Sequence, residues 1–432
     1  MNKLFKLQER GTTVQREFVA GLTTFLTMAY ILAVNPEMLG SVGMDAGGVF
    51  TATALASAIA TLIMAFAANL PIALAPGMGL NAFFAFSVVK AMGYSWKIAL
   101  TAVFLEGILF IILSLINVRE LIIKAIPANL KRAVAVGIGL FITLIGFSNA
   151  GIVVNNDGTI VELGNLSTGA PLLALIGLII TIVLYANRVP GSIIIGIFAT
   201  ALIGIPLGVT TVTAGFSPIS APAAPILAEF DFSKILSVDF LIVFFTFLFV
   251  DIFDTVGTLV GVAAQAGLIN KDGEIPRVKQ ALLADAIGTV AGAALGTSTV
   301  TSYVESTAGV AQGGRTGLAS VITGILFLLA LFFSPLFLLI PNAATAPALI
   351  IVGFFMMRSV TEIDFQDPTE GIPAFLTIVM MPFAYSIADG IMYGLLSFVI
   401  LKTLTLKFKD ISLVSWILFV VFILRFFTKM RG

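Results

Sequence analysis

Four stretches of this sequence place ionisable or strongly polar side chains inside apolar runs. In FLFVDIFDTVGTL, Asp251 and Asp254 stand at i and i+3, which puts both toward roughly one face of a helix, with the hydroxyls of Thr255 and Thr258 nearby. Two carboxylates that close resist double ionisation, so they would hold a proton between them, as a proton-coupling site requires. In GTSTVTSYVESTAGV, Glu305 is accompanied by seven Ser/Thr residues between Thr297 and Thr307, Thr299 among them. That strip is too polar for a lipid-facing helix, and irregular backbone at membrane depth survives only when buried or lining a cavity. A carboxylate there can accept N–H bonds from a heterocycle. In LAPGMGLNAFF, Pro76, Gly77 and Gly79 permit a break and close backbone approach. Asn81 offers both donor and acceptor, and Phe83, Phe84 and Phe86 offer faces for a flat ring. The fourth stretch, TAVFLEGILF, holds Glu106 alone, and Asp285 in QALLADAIGT is comparable but nearer a helix start.

Each feature also has a structural reading. A buried Asp can be fixed by neighbouring hydroxyls, and a Ser/Thr strip can glue helices together. With 37 phenylalanines in the chain, any one of them is first a packing residue. What favours a site at Asp251/Asp254 and at Glu305 is cost: an ionisable group within a span is expensive and is retained for function. Glu106 acquires no role from sequence.

The elements that carry these residues follow from composition. Of 432 residues, 59% are hydrophobic and 11% charged, against about 25% charged in soluble domains. The solvent is therefore a bilayer. Net charge is zero, which gives no reason to expect a nucleic-acid partner. Cysteine and histidine are both absent, so disulfides, thiolate clusters and tuned metal sites are not expected, and proton handling falls to Asp and Glu. No cofactor is implied. No nucleophile–base set is visible, so an enzyme is not expected. The polar N-terminus lacks a signal-peptide pattern, and insertion through the first span is expected.

Apolar runs fall near 18–39, 48–69, 71–89, 97–117, 129–150, 170–187 and 190–207. After a Pro/Ala/Ser-rich connection they resume near 239–262, 279–295, 296–310, 317–340, 345–357, 371–387 and 389–406, with a last run at 412–428. The pattern is seven segments twice. In each half the third segment is anomalous, and an odd count per half inverts the second copy. Paired interrupted segments at matching positions mark the substrate site of inverted-repeat carriers. Basic residues test the topology. With the N-terminus cytoplasmic, Lys3, Lys6, Arg10, Arg16, Arg119, Lys124, Lys131, Arg132, Arg188, Lys271, Arg277, Lys279, Arg315 and Arg358 all fall inside. The loop at 151–169 has no Lys or Arg, and 207–238 has only Lys234; Lys90 and Lys97 are exceptions. The last run is flanked by basic residues on both sides and is compatible with spanning or with lying in the interface.

The strings APGMGLNAFFAFSVV, FLFVDIFDTVGTLVGVAAQAG and GTSTVTSYVESTAGVAQGGRTG, with AGLTTFLTMAYILAVNP and TAPALIIVGFFMM, resemble the AzgA-like purine permeases of the nucleobase/ascorbate transporter superfamily. The likeness runs from about Thr12 to the C-terminus and is strongest to bacterial guanine/hypoxanthine permeases. It implies an all-α membrane protein with a 7+7 inverted repeat whose segments 3 and 10 carry short strands. The implied core domain takes 18–117 and 239–340, and the gate domain 118–207 and 341–406; 208–238 is an extracellular connection and 407–432 a C-terminal hydrophobic segment. It implies proton symport of purine bases across the plasma membrane, and a homodimer. The family's segment-8 carboxylates fall on Asp251 and Asp254, its segment-10 glutamate on Glu305, and its segment-3 glycine and asparagine on Gly79 and Asn81. By comparison with uracil permeases, Asp254 matches their substrate-binding glutamate, Thr258 their histidine, Phe84 their stacking phenylalanine and Val304 their backbone contact. The missing histidine leaves the polar partner of the base to a hydroxyl or a second carboxylate. Substrate binding is thus expected from Asp254, Glu305, Asn81, Phe84, Val304 and Gly79, and proton coupling from Asp251, Asp254 and Glu305. Thr258 and Thr299 support them. Uracil or xanthine is the alternative substrate.

Overall fold

The structure is a computed structural model that describes residues 2–115, 127–167, 169–212, 215–270 and 275–429. Arg119, Lys124 and Lys271, and the expected domain boundary at 117/118, lie outside the described residues. Among the described residues, ten helices are long and apolar enough to cross a membrane, and apart from the C-terminal helix that begins at Leu413 four further segments are shorter or broken. The result is the expected fourteen, arranged as a 7+7 inverted repeat in a multi-pass membrane protein.

The first half runs α1 (Val14–Met28), α2 (Ile31–Gly40), α3 (Ala46–Ile63), β1 (Leu74–Pro76), α4 (Met78–Ala82), α5 (Trp96–Leu115), α6 (Ala128–Asn149), a β2–β3 hairpin (Val153–Asn156 and Ile160–Leu163), α7 (Gly169–Ala186) and α8 (Ser192–Gly204). The second runs α9 (Val238–Gln265), α10 (Val278–Leu295), β4 (Val300–Ser302), α11 (Ser306–Ala311), α12 (Gly317–Ala330), α13 (Ser334–Leu338), α14 (Asn342–Met357), α15 (Pro368–Phe383), α16 (Ile387–Leu404) and α17 (Leu413–Lys429). Local chemistry fixes many ends. Thr13, Asp45, Ser237, Thr316, Asp367 and Ser386 cap their helices by accepting a backbone N–H. Gly296 stops α10 in a left-handed conformation at φ 95°, and a Cβ there would lie 2.5 Å from Ile226. Glu17, fully buried in α1, accepts from the N–H groups of Arg315, Thr316 and Ala319 at the start of α12.

The two interrupted segments meet in the interior. β1 and β4 pair antiparallel, with Leu74 opposite Ser302, Ala75 opposite Thr301 and Pro76 opposite Val300. α4 continues from β1 as a helix widened into π geometry over Phe83–Ala91. The first span is also broken, at Ala29 and Tyr30, between α1 and α2.

Packing falls into two sets. In one, α12 lies against α1 and α3, α10 against α3 and α5, and α9 against α5, with the strand pair inside. In the other, α6 packs on α14 and α15, α15 on α16, and α7 on α8 and α14. Small residues allow the close crossings: a Cβ on Gly139 would lie 2.8 Å from the carbonyl oxygen of Gly353. The connection after α8 is strapped to the first set: Ala228 N–H donates to Ala294 O (2.9 Å), Asp231 N–H to Thr101 Oγ1 (2.8 Å), and Lys97 pairs with Glu229 (2.6 Å). Lys97, an exception to the charge rule, thus has a carboxylate partner in that strap. On the opposite face Arg10 reaches Asn69 O and Arg315 O, Arg277 reaches Ala67 O, and Lys279 reaches Leu115 O. Arg10, Arg315 and Arg277 thus gather around residues 67–69, which makes this the basic face. α17 lies against α9 and α16.

Candidate functional site

A cavity of about 520 Å³ lies between the two helix sets, within the range of about 300–1,000 Å³ typical of small-molecule sites. It opens toward the basic face, where Lys131, Arg132 and Glu362 line it and Arg132 pairs with Glu362 at 3.1 Å. Its inner end is made by the interrupted segments. Gly77, Met78 and Gly79 open the α4 half-helix there, a position where backbone N–H groups have no intrahelical acceptor.

Two carboxylates reach this inner end. Asp254 projects from α9 and accepts from Thr301 Oγ1 of β4 at 3.2 Å. Glu305 stands at the junction of β4 and α11, and its Oε1 accepts from the Tyr30 hydroxyl at 2.7 Å. The break in the first span is what places Tyr30 there. Thr258, one turn beyond Asp254, and Val304, 48% exposed, also line the cavity. So do Phe253 and Phe355, one from each helix set, whose rings flank the space. The Tyr303 hydroxyl ties β4 to β1 by donating to Pro76 O at 2.6 Å.

Other expected residues sit elsewhere. Asp251 is fully buried and directed at Glu106 of α5, so the two α9 carboxylates do not form one pair. Asn81 is also fully buried; it accepts from Ser298 Oγ and its amide lies 3.4 Å from Pro76 O, which makes it a tie between the two interrupted segments. Phe84 does not line the cavity. It is buried with its ring centroid 6.5 Å from that of Phe247 on α9, packed into the core. Thr299 is buried beside Glu106, and its carbonyl accepts from Gly77 N–H at 3.0 Å. Gly79 lines the cavity and also touches the other helix set, since a Cβ there would lie 2.8 Å from Ile138 Cγ2. Tyr30, Thr301, Tyr303, Phe253 and Phe355 are not among the residues to which the sequence points. Tyr30 had one signal: it is a tyrosine well inside a span, away from the interfacial belts where tyrosine collects.

Interrupted segments crossing beside buried carboxylates, in two inverted halves, define a membrane carrier. The transmembrane domain of a cyanobacterium bicarbonate transporter, BicA, shares this fold, with TM-score 0.63 at 16% identity over 88% of this chain and 97% of that one. So does the murine Slc26a9 anion transporter in its inward-facing state, with TM-score 0.61 at 12% identity over 90% of this chain and 68% of that one. The chain belongs to the Permease family, whose family model matches residues 15–393, and so to the nucleobase/ascorbate transporters. It is 49% identical to the guanine/hypoxanthine permease PbuG of Bacillus subtilis over 99% of both chains. It is 44% identical to the adenine permease AdeQ of Escherichia coli, over 96% of this chain and 93% of that one. The nucleobase transporter PlAzg2 of Paenibacillus larvae is 34% identical over 89% of this chain and 76% of that one.

Proposed function

We propose that this permease carries purine nucleobases, guanine or hypoxanthine and with them adenine, by proton symport and alternating access. The observation that carries the reading is the convergence of Asp254 and Glu305 on one interior cavity beside the opening turn of a half-helix. Carboxylates accept ring N–H groups, and the N–H groups of Met78 and Gly79 receive a ring carbonyl oxygen. Phe253 and Phe355 supply flat apolar walls in the role that Phe84 was expected to play. The other face of the charge logic is the proton: a carboxylate that takes one on loses the cost of carrying bare charge through the bilayer. Asp254 and Glu305 serve both functions in this reading, and Asp251 is set back from the base.

In this reading the helix set containing the strands acts as the core, and the set of α6–α8 and α14–α16 as the gate. Core movement against gate exposes the cavity to either side in turn. With the basic face cytoplasmic, this conformation is inward-open. The gate helix α7 leaves Ile179, Ile182 and Val183 exposed, a face suited to lipid and to the expected homodimer.

The test is uptake of radiolabelled hypoxanthine by membrane vesicles under imposed pH gradients. Wild type should accumulate the base only with an inward proton gradient, and Asp254→Ala and Glu305→Ala should not. Full proton-coupled uptake by either variant overturns the site. Competition by unlabelled guanine, adenine, xanthine and uracil ranks the substrates, and preference for a pyrimidine overturns the purine assignment.

A further inference from the structure

The two strands of the interior pair are held from behind by matching side chains. In the first repeat, Thr61 of α3 brackets Leu74 of β1: its Oγ1 donates to Leu74 O (3.1 Å) and accepts from Leu74 N–H (2.9 Å). In the second, Thr289 of α10 brackets Val300 of β4 in the same way, donating to Val300 O (3.0 Å) and accepting from Val300 N–H (3.2 Å). The pseudo-symmetry therefore equates Thr61 with Thr289 and Leu74 with Val300. One helical turn earlier it equates Ser57 with Asp285, and two residues along the strands it equates Pro76 with Ser302.

Here the repeats diverge. Pro76 has no N–H and no polar side chain, and Ser57 turns its hydroxyl to Thr53 O of its own helix at 2.6 Å. Asp285 instead reaches across. Its Oδ1 accepts from Ser302 Oγ of β4 (3.3 Å) and from Thr255 Oγ1 of α9 (2.7 Å), all three residues being buried. Those two donors adjoin the substrate site. Thr255 follows Asp254, and Ser302 follows Thr301, the residue that donates to Asp254. Close packing of α10 on β4 makes the reach possible, since a Cβ on Gly292 would lie 3.0 Å from Val300 Cγ2. Glu106, beside Asp251, also lies near Asp285.

We propose that Asp285 is a positioning residue that sets the separation of Asp254 on α9 from the β4–Glu305 half of the site, so that both carboxylates meet one base. The inference rests on the assignment of Asp254 and Glu305 to the substrate. Asp285 touches neither the cavity nor the base; it acts through Thr255 and Ser302.

The test compares Asp285→Ala, Asp285→Asn and Thr255→Val in full-length protein, with KM and maximal rate of hypoxanthine uptake read alongside membrane abundance. Asp285→Ala should raise KM about tenfold or more, the scale of a lost hydrogen bond to a charged group. Asp285→Asn keeps an oxygen for the same two hydroxyls and should restore KM to within about threefold of wild type. Thr255→Val should raise KM alone and add little to Asp285→Ala, because both remove one linkage. A second readout does not depend on the substrate. The chain has no cysteine, so Val304→Cys gives a single thiol in the cavity wall. Its alkylation rate should change with Asp285→Ala and not with Asp285→Asn. Unchanged KM and alkylation in Asp285→Ala, equal losses in Asn and Ala, or fully additive effects overturn the inference. If Asp285→Ala is not produced, additivity is lost but the Asn and Thr255→Val arms still decide it: Asn must hold KM and Thr255→Val must raise it. Absence of any purine uptake by wild type overturns the functional reading instead, while the alkylation arm continues to report on Asp285.

Discussion

The hydroxyl of Tyr30 donates to Glu305 Oε1 at 2.7 Å, joining the break in the first span to the start of the half-helix in the tenth. Both residues line the cavity. Removing the hydroxyl leaves a carboxylate deep in the protein with one donor fewer and free to swing. Tyr30→Phe should therefore weaken purine binding by about 10–100-fold, the range for hydrogen bonds to charged groups, with little change in membrane abundance. Hypoxanthine uptake kinetics measure it; a KM equal to wild type would remove Tyr30 from the site.

The side of the cavity away from the basic face is closed by contacts between the two helix sets. Thr345 of α14 donates to Glu37 of α2, Ile387 N–H lies 3.4 Å from Ser87 Oγ, and Tyr385 meets Phe86 edge-on with centroids 6.3 Å apart. These contacts must part for the cavity to open outward. Thr345→Ala removes one of them, a hydroxyl–carboxylate bond, and should raise the outward-open population about tenfold or more, the scale of a hydrogen bond to a charged group. A cysteine at Thr258, the only thiol in the chain, should then react faster with a membrane-impermeant reagent added outside. An unchanged rate would show that this hydroxyl does not hold the closure.

Much of this architecture is legible in the sequence because hydropathy, glycine, proline and Ser/Thr clustering act locally. The spans, the two interrupted segments and the isolated carboxylates all follow from such signals. What escapes is tertiary direction. Asp251 and Asp254 lie about 60° apart around their helix, by the 3.6-residue repeat, and that angle is enough for one to face the cavity and the other Glu106. Phe84 is buried against Phe247 of α9, 163 residues away, a partner that no local pattern indicates. Tyr30 and Glu305 are 275 residues apart, and no local pattern joins them. The register of β1 on β4 is equally silent, since each strand is three residues long.

Gly79 stands where core and gate touch. Its missing side chain admits Ile138 of α6, and a Cβ would lie 2.8 Å from Ile138 Cγ2. Backbone at the mouth of a half-helix yields less readily than an isoleucine methyl, so Gly79→Ala should push the gate away and impair transport. Gly79→Ala should lower the maximal uptake rate about tenfold, the scale of a 1–2 kcal/mol overpacking cost in the closed contact. Ile138→Ala in the same chain makes room and should restore much of the rate. Failure of that rescue, with Gly79→Ala still abundant in the membrane, would assign Gly79 to substrate contact alone.

Asp367, outside the spans, caps α15 from the basic face. It accepts from Lys407 Nζ (2.8 Å), Thr369 N–H (2.9 Å) and Thr369 Oγ1 (2.8 Å). The Lys407 ammonium, then the Thr369 donors, hold its carboxyl well below the ordinary carboxylate range. A carboxyl depressed in the folded state binds protons more readily when unfolded. Its contribution is thus complete above the unfolded value of about 3.9 and fades only as pH falls through the lower folded value. Asp367→Asn keeps a neutral cap but gives up the ion pair. Thermal unfolding of the detergent-solubilised protein should show wild type ahead of Asp367→Asn by a constant margin from pH 7 to pH 5. The gap should narrow only below about pH 4, where the unfolded carboxyl begins to protonate. The exposed position keeps the margin small, and salt should shrink it further. A margin that already closes between pH 7 and pH 5 would mean that the stabilisation belongs to another titrating group.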